Sequence, residues 1–408
     1  MDDREVGRRI AHWRRRRGLT QSLFADRVGK SKSWVEKVEA GTRRASLVQL
    51  DQIAAVLRID LGLLIRQDRP PAGRECLDGV EIGRLRDALL RYEAITATFS
   101  RVDGADSRAP AVNDVAAAVR HCWMSFQASR YSLLGRNLPG LIASAQWAIR
   151  EQPAEQGSEA WGLLSQTYQL AASTLRKCGE PGLEVVAAER ALAAAERAGD
   201  ALLIAGASFR LANAVLDMGD SRRAVEMAVT LAGKVANDLT STSADLMSLY
   251  GHILLQAAMA AARHEDRPAV RDLLAEADTA ASRLGRDSNA CYVAFGPANV
   301  CVHRVSALVN LGDGDLAVEA ACDLTEAQLR ALPRERRATH MVTFGVACSQ
   351  AGHRDAAVRA LLDAEQIAAE EVRCREPARG LIGDLLRRAR GGPPFELSGL
   401  AERAGVNP

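Results

Sequence analysis

Residues 18–41 read GLTQSLFADRVGKSKSWVEKVEAG, and the punctuation of this stretch sets the architecture at one end of the chain. Gly18 stops whatever precedes it. Thr20 is a good N-cap, because its hydroxyl can accept from an amide that the first turn of a helix leaves unpaired. Leu23, Phe24, Ala25 and Val28 then supply an apolar face. Gly29 breaks this helix, and Ser31 caps a second one from Lys32 to about Ala40. Gly41 ends it just past the C-cap, where a left-handed backbone favours glycine. Working backwards, residues 4–17 form another helix. Val6, Ile10 and Trp13 lie on one of its faces, with Arg8, Arg9 and Arg15 to Arg17 around them.

An arginine-rich helix followed by two short capped helices across a glycine turn is the helix-turn-helix layout. The stretch closely resembles the pattern GLTQ..LA..LG.S...I...E.G of the Xre/Cro/phage-repressor family. The match covers about residues 4–66, counting helices around Leu47–Leu57 and Leu61–Ile65. The resemblance implies a five-helix, lambda-repressor-like DNA-binding domain over residues 1–67, and it assigns roles. Gln21 matches a glutamine that bonds a backbone phosphate at a helix N-terminus. Lys32 and Ser33 open the recognition helix, and Lys37 lies one turn on; these match positions facing base edges. Arg43 and Arg44 are phosphate contacts. Thr20, Lys30 and Ser31, which flank the two helix starts, complete the DNA-binding set together with Trp34. A small polar residue is commoner at position 34, so Trp34 either lies against a thymine methyl or sugar or packs beside the third helix. Arg14 and Glu39 match an internal ion pair. The family binds DNA as dimers on half-sites, so a homodimer on a double-stranded operator is expected.

Beyond the head, DRPPAGRECLDG (68–79) reads as a hinge. Ile82, Leu85, Leu89, Tyr92, Ile95 and Phe99 then recur at helical steps, giving an amphipathic helix that either caps the body or pairs with its twin. Residues 100–113 read as a loop, so 68–113 is a linker, 114–390 the body and 391–408 a tail.

The body is helical pattern with recurring punctuation. MGDSRRAVEMA (218–228), LGDGDLAVEAA (311–321) and AGHRDAAVRAL (351–361) each carry glycine, a polar turn and Ala-Val. Weaker copies start at Leu134, Cys178 and Arg263. Taking the second member of the dyad, the copies recur every 40 to 48 residues, which is a degenerate helix-pair repeat. It resembles the tetratricopeptide repeat: Ala212 and Ala224 flank Gly219 as that signature requires, and Ala128 and Tyr131 precede Gly135. The spacing is longer, however, and no copy is complete. The fold expected is therefore all-α, a helix-turn-helix head followed by a tetratricopeptide-like superhelix. By analogy with the repeat, residues six and nine before the turn glycine face a concave groove. They are Asn213 and Arg210 for Gly219, and Ser306 and His303 for Gly312. Gln166, Gln169 and Asn299 project inward earlier on such helices. Asparagine can bond a peptide backbone and arginine can clamp a carboxylate, so Gln166, Gln169, Arg210, Asn213, Asn299 and His303 form the candidate effector site.

The 408 residues carry 53 Lys+Arg against 51 Asp+Glu, a net of +2. Residues 1–67 hold 15 against 8, a net of +7, which leaves −5 for the rest. A basic head on a mildly acidic body suits contact with a polyanion at one end. The eight cysteines form no C-x-x-C pair or zinc spacing and are expected as small buried apolar groups in a reducing cytoplasm. No phosphate loop follows a strand; GKS at 29–31 lacks the upstream glycine. The seven histidines are scattered, and Glu370 and Glu371 fall on what reads as a solvated helix end. Neither catalysis, a cofactor nor a metal is expected, and no apolar run spans a membrane. Together, head and body resemble the effector-sensing regulators of bacteria, including the actinobacterial and peptide-pheromone (quorum-sensing) sets. The function implied is a cytoplasmic transcriptional regulator responding to a peptide or small molecule. The alternative is a DNA-tethered adaptor whose body docks a protein.

Overall fold

The computed structural model describes residues 3–16, 19–57, 61, 64, 79–90, 111–151, 157–238, 243–389 and 392–406. Among these every regular element is helical, apart from one isolated antiparallel bridge, Ser288 to Phe295. The chain divides into two units, Met1–Arg84 and Leu85–Val406.

The first unit holds α1 (Asp3–Arg16), α2 (Gln21–Val28), α3 (Lys32–Glu39) and α4 (Leu47–Leu57). Local chemistry sets each boundary. The Thr20 hydroxyl accepts from the Leu23 amide at 3.2 Å, and the Ser31 hydroxyl accepts from the Trp34 amide at the same distance. Gly29 and Gly41 are left-handed, at φ 69° and 71°. Ile10, Phe24, Val35, Leu50, Ile53 and Leu57 meet in one core. Of the expected fifth helix only Leu61 and Leu64 are described, with Leu64 in that core. The hinge lies outside the described residues. So do Tyr92, Ile95 and Phe99, whereas the first part of the linker helix is present as α5 (Gly79–Leu90).

The second unit is a run of antiparallel helix pairs. They are α6 (Val112–Gln127) with α7 (Tyr131–Glu151), α8 (Gly157–Cys178) with α9 (Pro181–Ala198), and α10 (Ala201–Asp217) with α11 (Ser221–Asp238). Next come α12 (Ala244–Arg263) with α13 (Arg267–Leu284), α14 (Pro297–Asn310) with α15 (Gly314–Ala321), the short α16 (Glu326–Ala331), and α17 (Arg334–Gln350) with α18 (Arg354–Ile367). Helices α19 (Ala369–Arg373), α20 (Glu376–Arg387) and α21 (Phe395–Ala404) complete it. Neighbouring pairs pack on one another, and the core is dominated by alanine, which lets helix axes approach closely.

One turn joins the members of every pair. Ser129, Gly179, Gly219, Glu265, Gly312 and Gly352 all have positive φ. In each case the next amide bonds the carbonyl five residues earlier: Arg130 to Ser125, Glu180 to Leu175, Asp220 to Val215, Asp266 to Ala261, Asp313 to Leu308 and His353 to Cys348. This is the Schellman closure, which satisfies carbonyls that the helix end would otherwise strand.

Three expectations are corrected. The first turn lies at Ser129 rather than Gly135, because α7 runs unbroken through Gly135 and Pro139. The tail is not peripheral: Leu397, Leu400 and Ala404 of α21 are buried in a core shared with α18 and α20. Not every cysteine is buried, since Cys322 is exposed.

Two of the six turns use residues with a Cβ in a backbone region that costs an L-residue about 1–2 kcal/mol. Glu265→Gly should therefore raise body stability by up to about 1 kcal/mol, and Gly219→Ala should lower it by about the same. Thermal denaturation of the two variants checks the opposite signs.

Candidate nucleic-acid interface and effector groove

In the head, α3 splits into two faces. Trp34, Val35 and Val38 are buried, while Lys32, Ser33, Glu36 and Lys37 face solvent. Trp34 is 6% exposed and belongs to the core, not to the surface that would meet a base. Its spacing from Val38 puts both on the inward stripe. Lys30 sits with its ammonium 5.9 Å from the indole centroid. Lys32 lies 3.6 Å from Glu36, a pairing that matters little because both side chains are about half exposed. Arg43 and Arg44 are exposed just beyond α3, where the Thr42 and Arg43 amides both close on the Lys37 carbonyl, at 2.9 and 3.1 Å.

The internal ion pair is present. Arg14 donates to both carboxylate oxygens of Glu39, at 2.6 and 2.9 Å, and to the Leu19 carbonyl at 2.8 Å. The bond to Glu39 raises the Arg14 pKa from its ordinary value. Gln21 donates to the same Glu39 at 2.9 Å. It is therefore held at the start of α2 by a carboxylate whose position α1 also fixes. Thr20 and Ser31 spend their hydroxyl acceptors on their own helices.

In the body, a cavity of about 940 Å3 is lined by the first helices of the pairs. Its walls follow a rule tied to the shared turn. The residue six before the positive-φ position lines the cavity in every pair: Trp123, Ser173, Asn213, Met259, Ser306 and Val346. The residue nine before does so in four, as Arg210, Gln256, His303 and Thr343. Trp123 and Gln256 were not singled out from sequence, because their turns carry Ser129 and Glu265 in place of glycine. Of the six candidates, Arg210, Asn213 and His303 line the cavity. Gln169 stands behind, accepting from Arg210 at 2.9 Å. Gln166 and Asn299 are not among the lining residues, and Asn299 is fully buried with both amide atoms unpaired. Each lies thirteen residues before its turn, nearly four helical turns from the end of the helix that lines the cavity.

His303 accepts no charge here. Burial, reinforced by Arg336, pushes it down to about 3, and burial first of all holds His252 well below its ordinary value. Glu184, buried with one oxygen unpaired, is pushed up to about 8, so it is protonated at neutral pH. Of the wall cations, all but Arg210 and Arg379 have a carboxylate partner among the described residues. Arg176 and Arg263 share Asp217 at 2.8 and 2.9 Å. Lys177 and Arg375 share Glu371, at 3.1 and 2.8 Å. Arg336 is 3.7 Å from Glu335, and half-exposed Arg379 donates to the Gly405 carbonyl. Buried Arg210 has no carboxylate partner among the described residues.

Glu371 closes the body on itself. It accepts from Tyr131 at the start of α7, from Lys177 at the end of α8, from Thr339 on α17 and from Arg375. Glu370 accepts from the Ser132 amide and hydroxyl at 3.0 and 3.1 Å. Glu370 and Glu371 are thus buried, contrary to their reading as a solvated helix end. Burial works against the charged Glu371, but Lys177 and Arg375 overcome it and hold the carboxyl down at about 2. A second bridge comes from the loop between α13 and α14. Tyr292 stacks on Trp123 at 4.8 Å and 6°, and Asn289 exchanges hydrogen bonds with Gln127 at 2.8 and 2.9 Å.

Residues 5–64 match the family model described as a helix-turn-helix domain. The head is a helix-turn-helix domain. No curated protein matches the sequence. Among solved structures the chain is similar to PlcR of Bacillus thuringiensis in complex with the peptide PapR7 and DNA. That likeness has 13% identity, covers 86% of this chain and 99% of that one, and has a TM-score of 0.37. It is also similar to the apo form of ComR from S. thermophilus, at 11% identity, 88% and 99% coverage, and a TM-score of 0.26. Superpositions this loose transfer no residue's role.

Among the described residues no helix is long and apolar enough to cross a membrane, and no group of three or more His, Cys, Asp and Glu could hold a metal.

Two outcomes follow from the buried carboxyls. The Glu371 pKa is depressed, so its contribution is complete above the ordinary carboxylate value and is lost as pH falls from about 4.5 towards 2. Glu371→Gln should cost about 3–5 kcal/mol at neutral pH by leaving buried Arg375 without a carboxylate and Lys177 with Glu335 alone, and chemical denaturation across that pH range reads both effects. The Glu184 pKa is raised, so folding is penalised progressively as pH rises from the ordinary value towards 8. Glu184→Gln should stabilise the protein near pH 8 and do little near pH 4; the reverse order would refute the assignment.

Proposed function

We propose that the chain is a sequence-specific DNA-binding transcriptional regulator, acting as a homodimer, whose helical body holds an effector in its groove. The observation that carries this reading is the exposed face of α3. Lys32, Ser33 and Lys37 project from a helix whose opposite face is locked into the core, with Arg43 and Arg44 just beyond it. Such a helix can enter a major groove without rearranging, and the cations beyond it reach phosphates. The net of +7 over residues 1–67 supplies the long-range attraction. Gln21 contributes a phosphate contact from the N-terminus of α2. The groove supports the effector half of the reading, because its volume lies within the range of about 300–1,000 Å3 typical of small-molecule sites. PlcR, whose structure holds a peptide and DNA, provides a precedent for joining these two kinds of ligand in one chain.

Duplexes selected from genomic DNA by the full-length protein provide the test. Lys32→Ala should lose about 1–3 kcal/mol of discrimination between selected and random duplexes. Arg43→Ala should weaken both alike and lower the salt slope by about 1. Equal losses on both duplexes for Lys32→Ala would remove it as a base reader, and no selected sequence at all would remove the regulator reading.

A further inference from the structure

Arg210 is the feature of the groove that its own surroundings do not complete. It lies on α10 at 6% exposure. Its Nε donates to the Ser173 hydroxyl at 3.1 Å, and one terminal nitrogen donates to Gln169 and to the Gly206 carbonyl at 2.9 and 2.8 Å. All three acceptors are neutral. The guanidinium lies 5.0 Å from the Trp123 ring and 4.4 Å from the Phe209 ring, so its planar faces are covered. Its other terminal nitrogen makes no hydrogen bond among the described residues. Burial lowers its pKa to about 9, offset in part by the nearby Cys291 thiol, which burial itself pushes up. The wall thus holds one buried positive charge with no counter-charge, in a place where an unpaired charge is costly.

We infer that the groove is built to receive an organic carboxylate, with Arg210 as its clamp and an aromatic or aliphatic portion lying along Trp123, Phe209 and Met259. A single unpaired guanidinium balances a single negative charge, so a carboxylate suits it better than a phosphate dianion. The other wall cations have carboxylate partners, except Arg379, which is half-exposed and so reaches solvent. Asn213 and the neutral His252, whose Nδ1 has no partner, offer polar contacts without adding charge. This inference deepens the effector reading and rests on it for any consequence on DNA. The carboxylate can belong to a small molecule or to the C-terminus of a peptide, and the two sources are separable.

The test is calorimetric binding to the full-length protein. The probes are phenylacetate, 2-phenylethanol, 2-phenylethylamine and phenyl phosphate, then a phenylalanine-terminated tetrapeptide as free acid and as amide. The inference expects phenylacetate, or the free-acid peptide, to bind at least about tenfold more tightly than its neutral, cationic and dianionic counterparts. Arg210→Gln should remove that preference while leaving the unliganded protein no less stable, because it deletes an unpaired buried charge. Preference for phenylacetate identifies a small molecule, and binding of the free-acid peptide alone identifies a peptide terminus. Equal affinity for alcohol and acid, an undiminished preference in Arg210→Gln, or no carboxylate binding up to about 1 mM would overturn the inference. Arg210→Lys, which keeps the charge and loses the fork, should retain part of the preference and guards against a folding defect in the first variant. Affinity for the selected duplex, measured alongside, keeps the two readings apart. Carboxylate binding that leaves DNA affinity unchanged preserves the clamp and removes effector gating.

Discussion

Glu371 does for the body what no neighbour-to-neighbour contact can do. A stack of helix pairs touches only adjacent pairs, so its ends have no reason to meet and its inner face remains an open trough. Here a carboxylate from the far end of the body bonds Tyr131 at the start of the second body helix, 240 positions away, and Lys177 beside it. With Glu370 holding Ser132 and Tyr292 stacked on Trp123, the first pair is tied to both the last pair and the middle. The trough becomes a cavity, and the polar groups deep in its wall, Arg210, His252 and His303 among them, become buried groups that must find partners. The neutral histidines and the protonated Glu184 follow from that enclosure, since in an open trough water would solvate them.

The energetic sense of the closure lies in geometry more than in net stability. Desolvating two carboxylates, an ammonium and a guanidinium costs most of what their attraction returns. A well-packed apolar contact would join the ends as firmly. What the ionic version adds is intolerance of error: a shift of α8 against α19 by one turn would leave Glu371 and Lys177 buried and separate. The cluster fixes the register of the ends, and with it the spacing of the groove walls. Arg210 stands out against this background because the same chain satisfied its neighbours with carboxylates a few ångströms away and supplied none for it.

How far the sequence disclosed this depends on the range of the interaction. The head was legible because its determinants are local: Thr20, Gly29, Ser31 and Gly41 act within a few residues of themselves. The repeat was legible wherever glycine marked the left-handed turn position. At Ser129 and Glu265 the same turn forms without glycine, and the chance glycine at 135 drew the first boundary six residues too late. Placing the turns by their hydrogen bonds restores the rule that the sixth residue before each turn faces the groove. His252 and Gln256, four apart in the otherwise apolar run of α12, were a usable signal of a polar inner face. Glu370 and Glu371 carried no such signal, for Tyr131, Ser132 and Lys177, which tie them to the start of the body, lie more than 190 residues away in the chain, and an arginine four residues on, as Arg375 is from Glu371, is equally common on a solvated helix face. Trp34 shows the converse, since its spacing from Val38 already favoured the core over DNA.

A ligand in the groove can move the DNA equilibrium only by its differential affinity for the arrangements that do and do not fit an operator. A hydrogen-bonded pair with a charged group contributes about 1.5–3 kcal/mol, which is about 10- to 100-fold. Driving a switch from nearly closed to nearly open needs about 10⁴-fold. One carboxylate on one Arg210 therefore falls short. In the proposed homodimer two grooves act on one operator complex, and their factors multiply to about 10²- to 10⁴-fold, which reaches the required size only when both are filled and each contact is at the strong end of its range. The switch would then respond to the square of occupancy, so a single Arg210-type contact per chain gives a steep response through symmetry without a larger binding site.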